Sequence, residues 1–150
     1  MPRLKSKLHP ASPPAVIGWR EQVHLPRLGV GPIDAKIDTG ARSAALHAED
    51  IQVQGHRVRF LVPVNGRNHH CELPVHGRRR IRSSSGHSEM RIVIETDIVI
   101  GKLKYPIEIT LTNRTDMGVP MLLGRAAVKG KFLVHPGRSF LITRKKRKTK

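Results

Sequence analysis

The chain has 150 residues, enough for one hydrophobic core and hardly two. It carries 28 basic and 11 acidic residues, a formal net charge of +17, and a single cysteine, Cys71, which excludes an intrachain disulfide and fits a reducing, cytoplasmic setting. No stretch approaches the ~20 apolar residues of a membrane-spanning helix or the apolar centre of a secretory signal.

The charge is concentrated at the ends. Residues 1–20 hold four basic residues and no acid, and residues 141–150 hold six and no acid, which leaves +7 for residues 21–140. We therefore read residues 1–15 as a disordered basic leader and 143–150 as a disordered basic tail around one domain over 16–142. Such tails attract ribosomes, RNA or any polyanion through long-range, salt-sensitive forces.

In chain order, Glu21-Gln22-Val23-His24-Leu25 predicts a strand, and Gly29, Gly31 and Pro32 break it. Ile33-Asp34-Ala35-Lys36-Ile37 alternates apolar and polar, the mark of a half-buried strand, and runs into Asp38-Thr39-Gly40-Ala41. Ile51-Gln52-Val53 and Arg57–Val62 predict a hairpin turning at Gly55. Residues 63–90 read as the least regular part, a long loop holding the basic run Arg78, Arg79, Arg80 and Arg82. Order returns with Arg91–Ile100, a turn at Gly101-Lys102, and Tyr105–Leu111. The apolar Met121-Leu122-Leu123 leads through Gly124-Arg125 into one short helix, and Phe132-Leu133-Val134 follows. Aromatic residues are few, and the core is Val, Ile and Leu, which suits strands.

Asp38-Thr39-Gly40 alone is a turn signal. It gains meaning from the apolar strand that enters it, which holds a carboxylate at a rigid strand end, and from the second apolar strand ending in Gly124-Arg125. This two-part pattern resembles retroviral-type aspartic proteases. The further segments Ala45-Leu46-His47-Ala48, Ser83-Ser84-Ser85-Gly86-His87, Pro106–Arg114, Met121–Arg125 and Phe132-Leu133-Val134 resemble a retropepsin-like family that carries the label ATP-dependent zinc protease. The resemblance covers roughly residues 16–142. It implies an all-β, closed barrel with a flap and one short helix after Gly124-Arg125.

It also implies one catalytic aspartate per chain. Aspartic-protease chemistry needs two carboxylates sharing a proton, one as base toward water and one as acid toward the scissile carbonyl. A chain with a single Asp38 therefore obtains the second from a copy of itself, and a homodimer is expected. Asp38, Thr39 and Gly40 are the expected catalytic loop, with Ala41, Gly124 and Arg125 supporting it. Arg78, Arg79, Arg80 and Arg82 are the expected clamp for an acidic substrate beside the flap. Relatives are associated with an ATP-grasp glutamate ligase acting on a ribosomal protein, so an acidic or polyglutamate-tailed protein is the expected substrate.

The chain departs from the pattern in places. Retroviral proteases place an acid four residues after the catalytic aspartate, paired with the arginine of Gly-Arg; here that position is Arg42, so Arg125 needs another partner. Position 135 is His where this family more often has Asp.

The zinc in the family label calls for three or four well-spaced donors. There is no His-Glu-x-x-His and no Cys-x-x-Cys, and the nine histidines read as surface residues, so no metal is expected. If zinc is held, His47, Cys71 and His87 are the expected donors. ATP finds no Gly-x-x-x-x-Gly-Lys-Ser/Thr loop. His47 otherwise reads as a structural histidine and Cys71 as a small buried hydrophobe. Ser85-Gly86-His87 with Glu89 contains the residue types of a serine hydrolase, but neighbours along a chain rarely face one another. Two other functional classes stand beside the protease: a non-catalytic basic module for acidic peptide or RNA, and a zinc-dependent hydrolase.

Overall fold

Alternating β-branched residues organise this chain into strands that close on themselves. The structure, a computed structural model, describes residues 14–83 and 85–143. It contains β1 (Ala15–Gly18), β2 (Arg20–Leu25), β3 (Val30–Ile37), β4 (Ala44–His47), β5 (Glu49–Gln54), β6 (Arg57–Val64) and β7 (Arg67–Pro74). These are followed by β8 (Gly77–Arg82), β9 (Ser88–Ile100), β10 (Leu103–Thr112), β11 (Met121–Leu123), the four-residue helix α1 (Arg125–Val128) and β12 (Phe132–His135).

Six strands form a ring in the order β10-β4-β11-β3-β2-β9, closed by antiparallel pairing of β9 with β10. Closure removes the exposed edges of a flat sheet. β8 extends the sheet beyond β9, and the two form the flap-like hairpin, with the Ser83 N–H bonded to the His87 carbonyl across its turn. Inside the ring lie Val23, Ile33, Ala35, Leu46, Ile94, Ile98, Ile109, Met121 and Leu123, each at most 2% exposed. Along β10 Tyr105, Ile107, Ile109 and Leu111 face inward, as the alternation predicts.

β5, β6 and β7 form a separate three-stranded meander. Val58, Phe60, Val62, Cys71 and Leu73 on one face join the barrel core, and Arg57, Arg59 and Glu72 remain on the other. Asn65 Nδ2 donates to the Pro32 carbonyl at 2.9 Å, tying the meander to the start of β3, the end remote from Asp38. The sequence expectation of a long irregular stretch over 63–90 is therefore corrected: β7, β8 and the start of β9 occupy most of it. In β8 arginines fall on both faces, so no apolar period is visible. Its order comes from pairing with β9 along its whole length, from Gly77↔Val93 to Arg82↔Ser88.

β1 and β12 pair in parallel, joining the two ends of the domain. Beyond β12 the chain crosses the β1–β2 corner and docks on Glu21, whose side chain is fully buried. Glu21 accepts the backbone N–H of Gly18 at 2.7 Å, of Leu141 at 2.8 Å and of Thr143 at 3.0 Å, and the Thr143 hydroxyl at 2.5 Å. A buried carboxyl group is tolerated where main-chain donors surround it. The basic leader and tail fall almost wholly outside the described residues.

Candidate active site

β3 ends where β11 begins to control it. β11 lies between β3 and β4, parallel to the first and antiparallel to the second, so the loop joining β3 to β4 must arch over the end of β11. That loop is Asp38–Ser43. The Asp38 N–H continues the ladder by donating to the Leu123 carbonyl at 2.9 Å. Its own carbonyl accepts the Ala41 N–H at 3.1 Å, and its Oδ1 accepts the Gly40 N–H at 3.1 Å. The carboxylate is thus fixed at a strand end, half-buried, with Thr39 and Gly40 exposed beside it.

α1 fastens the loop from behind. The first N–H groups of a helix have no partner within it. Here the N–H of Arg125 donates to the Ala41 carbonyl at 2.8 Å and that of Ala126 to the Arg42 carbonyl at 3.0 Å. Gly124 permits this approach, because a Cβ there would stand 2.5 Å from the Ser43 carbonyl oxygen and 2.6 Å from the Arg42 carbonyl carbon. Arg125 Nη1 donates to the Thr39 carbonyl at 2.8 Å. This is the partner that the sequence left open: with arginine at position 42, Arg125 holds the loop by its main chain.

The four clamp arginines separate onto two faces. Arg79 turns toward the loop, donating to Ser43 Oγ at 3.2 Å and to Glu108 at 2.7 Å. His76 also contacts Glu108, at 3.1 Å. The Arg79 hydrogen bond holds the Glu108 carboxyl below its ordinary range, against a smaller opposing effect of burial. Arg42, Ser43, Arg79, Glu108 and Lys131 border a cleft of about 260 Å³ next to the loop. Arg78, Arg80 and Arg82 point to the other face of β8 and are exposed. Ser43 and Glu108 were not anticipated, since their contacts with Arg79 span 36 and 29 residues and leave no local signal.

The proposed zinc donors lie on separate elements. His47, buried at the end of β4, accepts the Arg114 N–H on Nδ1 at 3.0 Å and meets Glu49 through Nε2 at 3.0 Å, a structural role. Cys71 faces the core of the meander, and burial pushes its thiol up to about 11. His87 sits in the flap turn, with Ser85 Oγ 3.2 Å from Nδ1. No group of three or more His, Cys, Asp or Glu side chains among the described residues is arranged to hold a metal ion. The donor set does not fit zinc. Ser85 and His87 do meet, but Glu89 accepts from Arg91 at 3.0 Å and Thr112 at 2.9 Å, so it does not complete a triad. His135 Nδ1 accepts the Gly137 N–H at 3.0 Å, a turn contact that an Asp carboxylate would also make.

A closed six-stranded barrel, an Asp-Thr-Gly loop arched over a crossing strand, and a short helix fastening that loop define the retropepsin-like class of aspartic-protease folds. A family model described as "Retropepsin-like aspartic endopeptidase RimB" matches residues 16–145, and the chain belongs to this RimB-like family. A probable alpha-L-glutamate ligase of Shewanella pealeana is 42% identical over 138 residues, covering 87% of this chain and 30% of the ligase. One of Desulfotalea psychrophila is 36% identical over 132 residues, covering 81% of this chain and 28% of the ligase. The chain thus spans less than a third of the curated relatives it matches. A solved structure from Legionella pneumophila, a protein of unknown function, superposes with a TM-score of 0.72 at 30% identity, covering 85% of this chain and 98% of that one. Among the described residues no helix is long and apolar enough to cross a membrane.

Proposed function

We propose that this protein is an aspartic endopeptidase whose dyad, Asp38 and its copy, forms across a homodimer. The observation that carries this reading is the fixed Asp38 carboxylate beside an exposed Thr39-Gly40. Each chain brings one such carboxylate on a loop free to meet its equivalent. Two carboxylates brought close cannot both ionise, so one stays protonated. The ionised one takes a proton from water as the water attacks the scissile carbonyl, and the protonated one gives its proton to the carbonyl oxygen. Collapse of the resulting diol breaks the C–N bond as the newly protonated carboxyl gives its proton to the leaving nitrogen and the other recovers the hydroxyl proton. Gly40 leaves the substrate backbone room to approach.

The substrate is an acidic protein segment, with a glutamate tail the best candidate. Support comes from the cleft beside the loop, where the cations Arg42, Arg79 and Lys131 outnumber the acids Glu95 and Glu108, and from the relatives in which the same domain belongs to a longer chain named as a glutamate ligase. A ligase that adds glutamate and a peptidase that removes it are opposing activities on one product. The basic leader and tail extend this attraction to a ribosomal or RNA-bound partner. The setting we propose is the cytoplasm, where the single thiol stays reduced.

The test is mass spectrometry of a Glu-rich peptide library incubated with wild type and Asp38→Asn from acidic to neutral pH, with and without a zinc chelator. Cleavage that vanishes in Asp38→Asn and survives the chelator is the expected result. Cleavage lost only with chelator would move the chemistry to zinc. Binding without cleavage under any condition would leave a non-catalytic module on a protease fold.

A further inference from the structure

Among the described residues β8 is an edge strand, bonded to β9 on one side and to no strand on the other. Its free side has a definite chemistry. The Ser83 N–H donates to the His87 carbonyl at 2.8 Å, so the pair at the turn is hydrogen-bonded. Antiparallel ladders alternate bonded and non-bonded pairs. Counting back along the register, Ile81 and Arg79 aim their N–H and C=O groups at β9, whereas Arg82, Arg80 and Arg78 aim theirs at the open side.

The same three residues share one side-chain face. Arg78, Arg80 and Arg82 are exposed, and none makes a hydrogen bond or ion pair with the other described residues. Their cross-strand neighbours are Ile92, Met90 and Ser88, with no acid among them. The nearby acids are engaged elsewhere: Glu108 by Arg79 and His76, and Glu89 by Arg91 and Thr112. The face therefore presents three unmatched cations at alternate residues, about 6.4–6.8 Å apart.

We propose that β8 is a strand-addition site that reads an extended acidic segment through carboxylates at every second residue. An incoming strand takes the open N–H and C=O groups, and its alternate side chains fall opposite Arg78, Arg80 and Arg82 at the same repeat. A phosphate backbone could accept from the open N–H groups but has no donor for the open C=O groups between them, and no Phe, Tyr or Trp lies on β8 or β9 to stack a base. Two copies of this edge repel each other, so the ladder admits an acidic strand while blocking pairing with itself. The inference rests on the protease reading only for the identity of the segment as substrate.

The test uses full-length Asp38→Asn, which keeps peptides uncut, and two labelled 12-residue peptides of equal composition. One alternates Glu and Ser, and the other repeats Glu-Glu-Ser-Ser, which splits the same charge between two faces. Fluorescence anisotropy is expected to give about tenfold tighter binding of the alternating peptide. Adding Arg78→Glu, Arg80→Glu and Arg82→Glu is expected to abolish that difference while leaving the thermal midpoint unchanged, because these side chains are exposed and make no hydrogen bond or ion pair with the other described residues. Equal binding of the two peptides would overturn the proposal. So would a preference that persists in the triple variant, or single-stranded RNA displacing the alternating peptide with higher affinity. Wild-type cleavage separates the two readings. Equal binding with cleavage removes only the strand-addition site, and pattern-dependent binding without cleavage removes only the protease.

Discussion

Cys71 shows how position decides chemistry for a single side chain. It is 8% exposed, faces the meander core and has its thiol pushed up to about 11 by burial. At neutral pH the free thiol is protonated and sheltered, which makes it a poor nucleophile. A thiol reagent is expected to leave the folded protein unlabelled and to label Cys71 stoichiometrically in denaturant, which mass spectrometry reads directly. Glu108 makes a different point. Arg79 lowers its pKa in the folded state, so its contribution to stability is fully present above the ordinary carboxyl value of 4.5 and is lost as pH falls through the lowered folded value. Glu108→Gln is therefore expected to flatten the decline of the thermal midpoint below about pH 4.5, with little change in that slope near neutrality. The carboxylate is substantially exposed, so the effect is small.

At the scale of elements, the loop, the crossing strand and the helix form one unit. Gly124→Ala places a methyl group against the Arg42–Ser43 backbone, which has no flexible side chain to yield. The expected outcome is loss of activity together with a lowered thermal midpoint, whereas a substitution such as Lys129→Ala, at the exposed end of α1, leaves both unchanged. The C-terminal segment is a second unit. It is held by hydrogen bonds to one buried carboxylate from residues more than a hundred positions away. Glu21→Ala leaves the N–H groups of Gly18, Leu141 and Thr143 without an acceptor. Urea unfolding is expected to give a loss on the order of 3 kcal/mol or more. Truncation after residue 138 is expected to be comparably destabilising, because it removes the Leu141 and Thr143 donors from Glu21 and the segment that covers this corner.

For the whole molecule, the decisive question is whether two chains share one site. If each functional site takes Asp38 from two chains, an equal mixture of wild type and Asp38→Asn, exchanged to equilibrium, retains about one quarter of the wild-type activity. If each chain works alone, it retains about one half. Activity per chain is also expected to fall on dilution as the dimer dissociates.

Much of this protein was legible in its residues. Period-two alternation marked β3, apolar residues on one face marked β10, and Asp38-Thr39-Gly40-Ala41 with Gly124-Arg125 marked the loop and its support. These signals are local: a buried face writes itself into every second residue, and a glycine is needed wherever two backbones meet. What the residues alone left unwritten depended on partners far along the chain. β8 appeared as a loop because its arginines have no apolar period and its order is borrowed from β9. Arg79 parted from Arg78, Arg80 and Arg82 only when strand alternation gave them different faces. Arg125 found the Thr39 carbonyl 86 positions away, and Glu21 found Thr143. The sequence by itself determined which residues strand formation buries and where the carboxylate loop falls, because those depend on near neighbours. Only the tertiary structure decided which charges are matched and which remain free to meet a ligand, because a charge is satisfied across space and its partner leaves no periodicity to read.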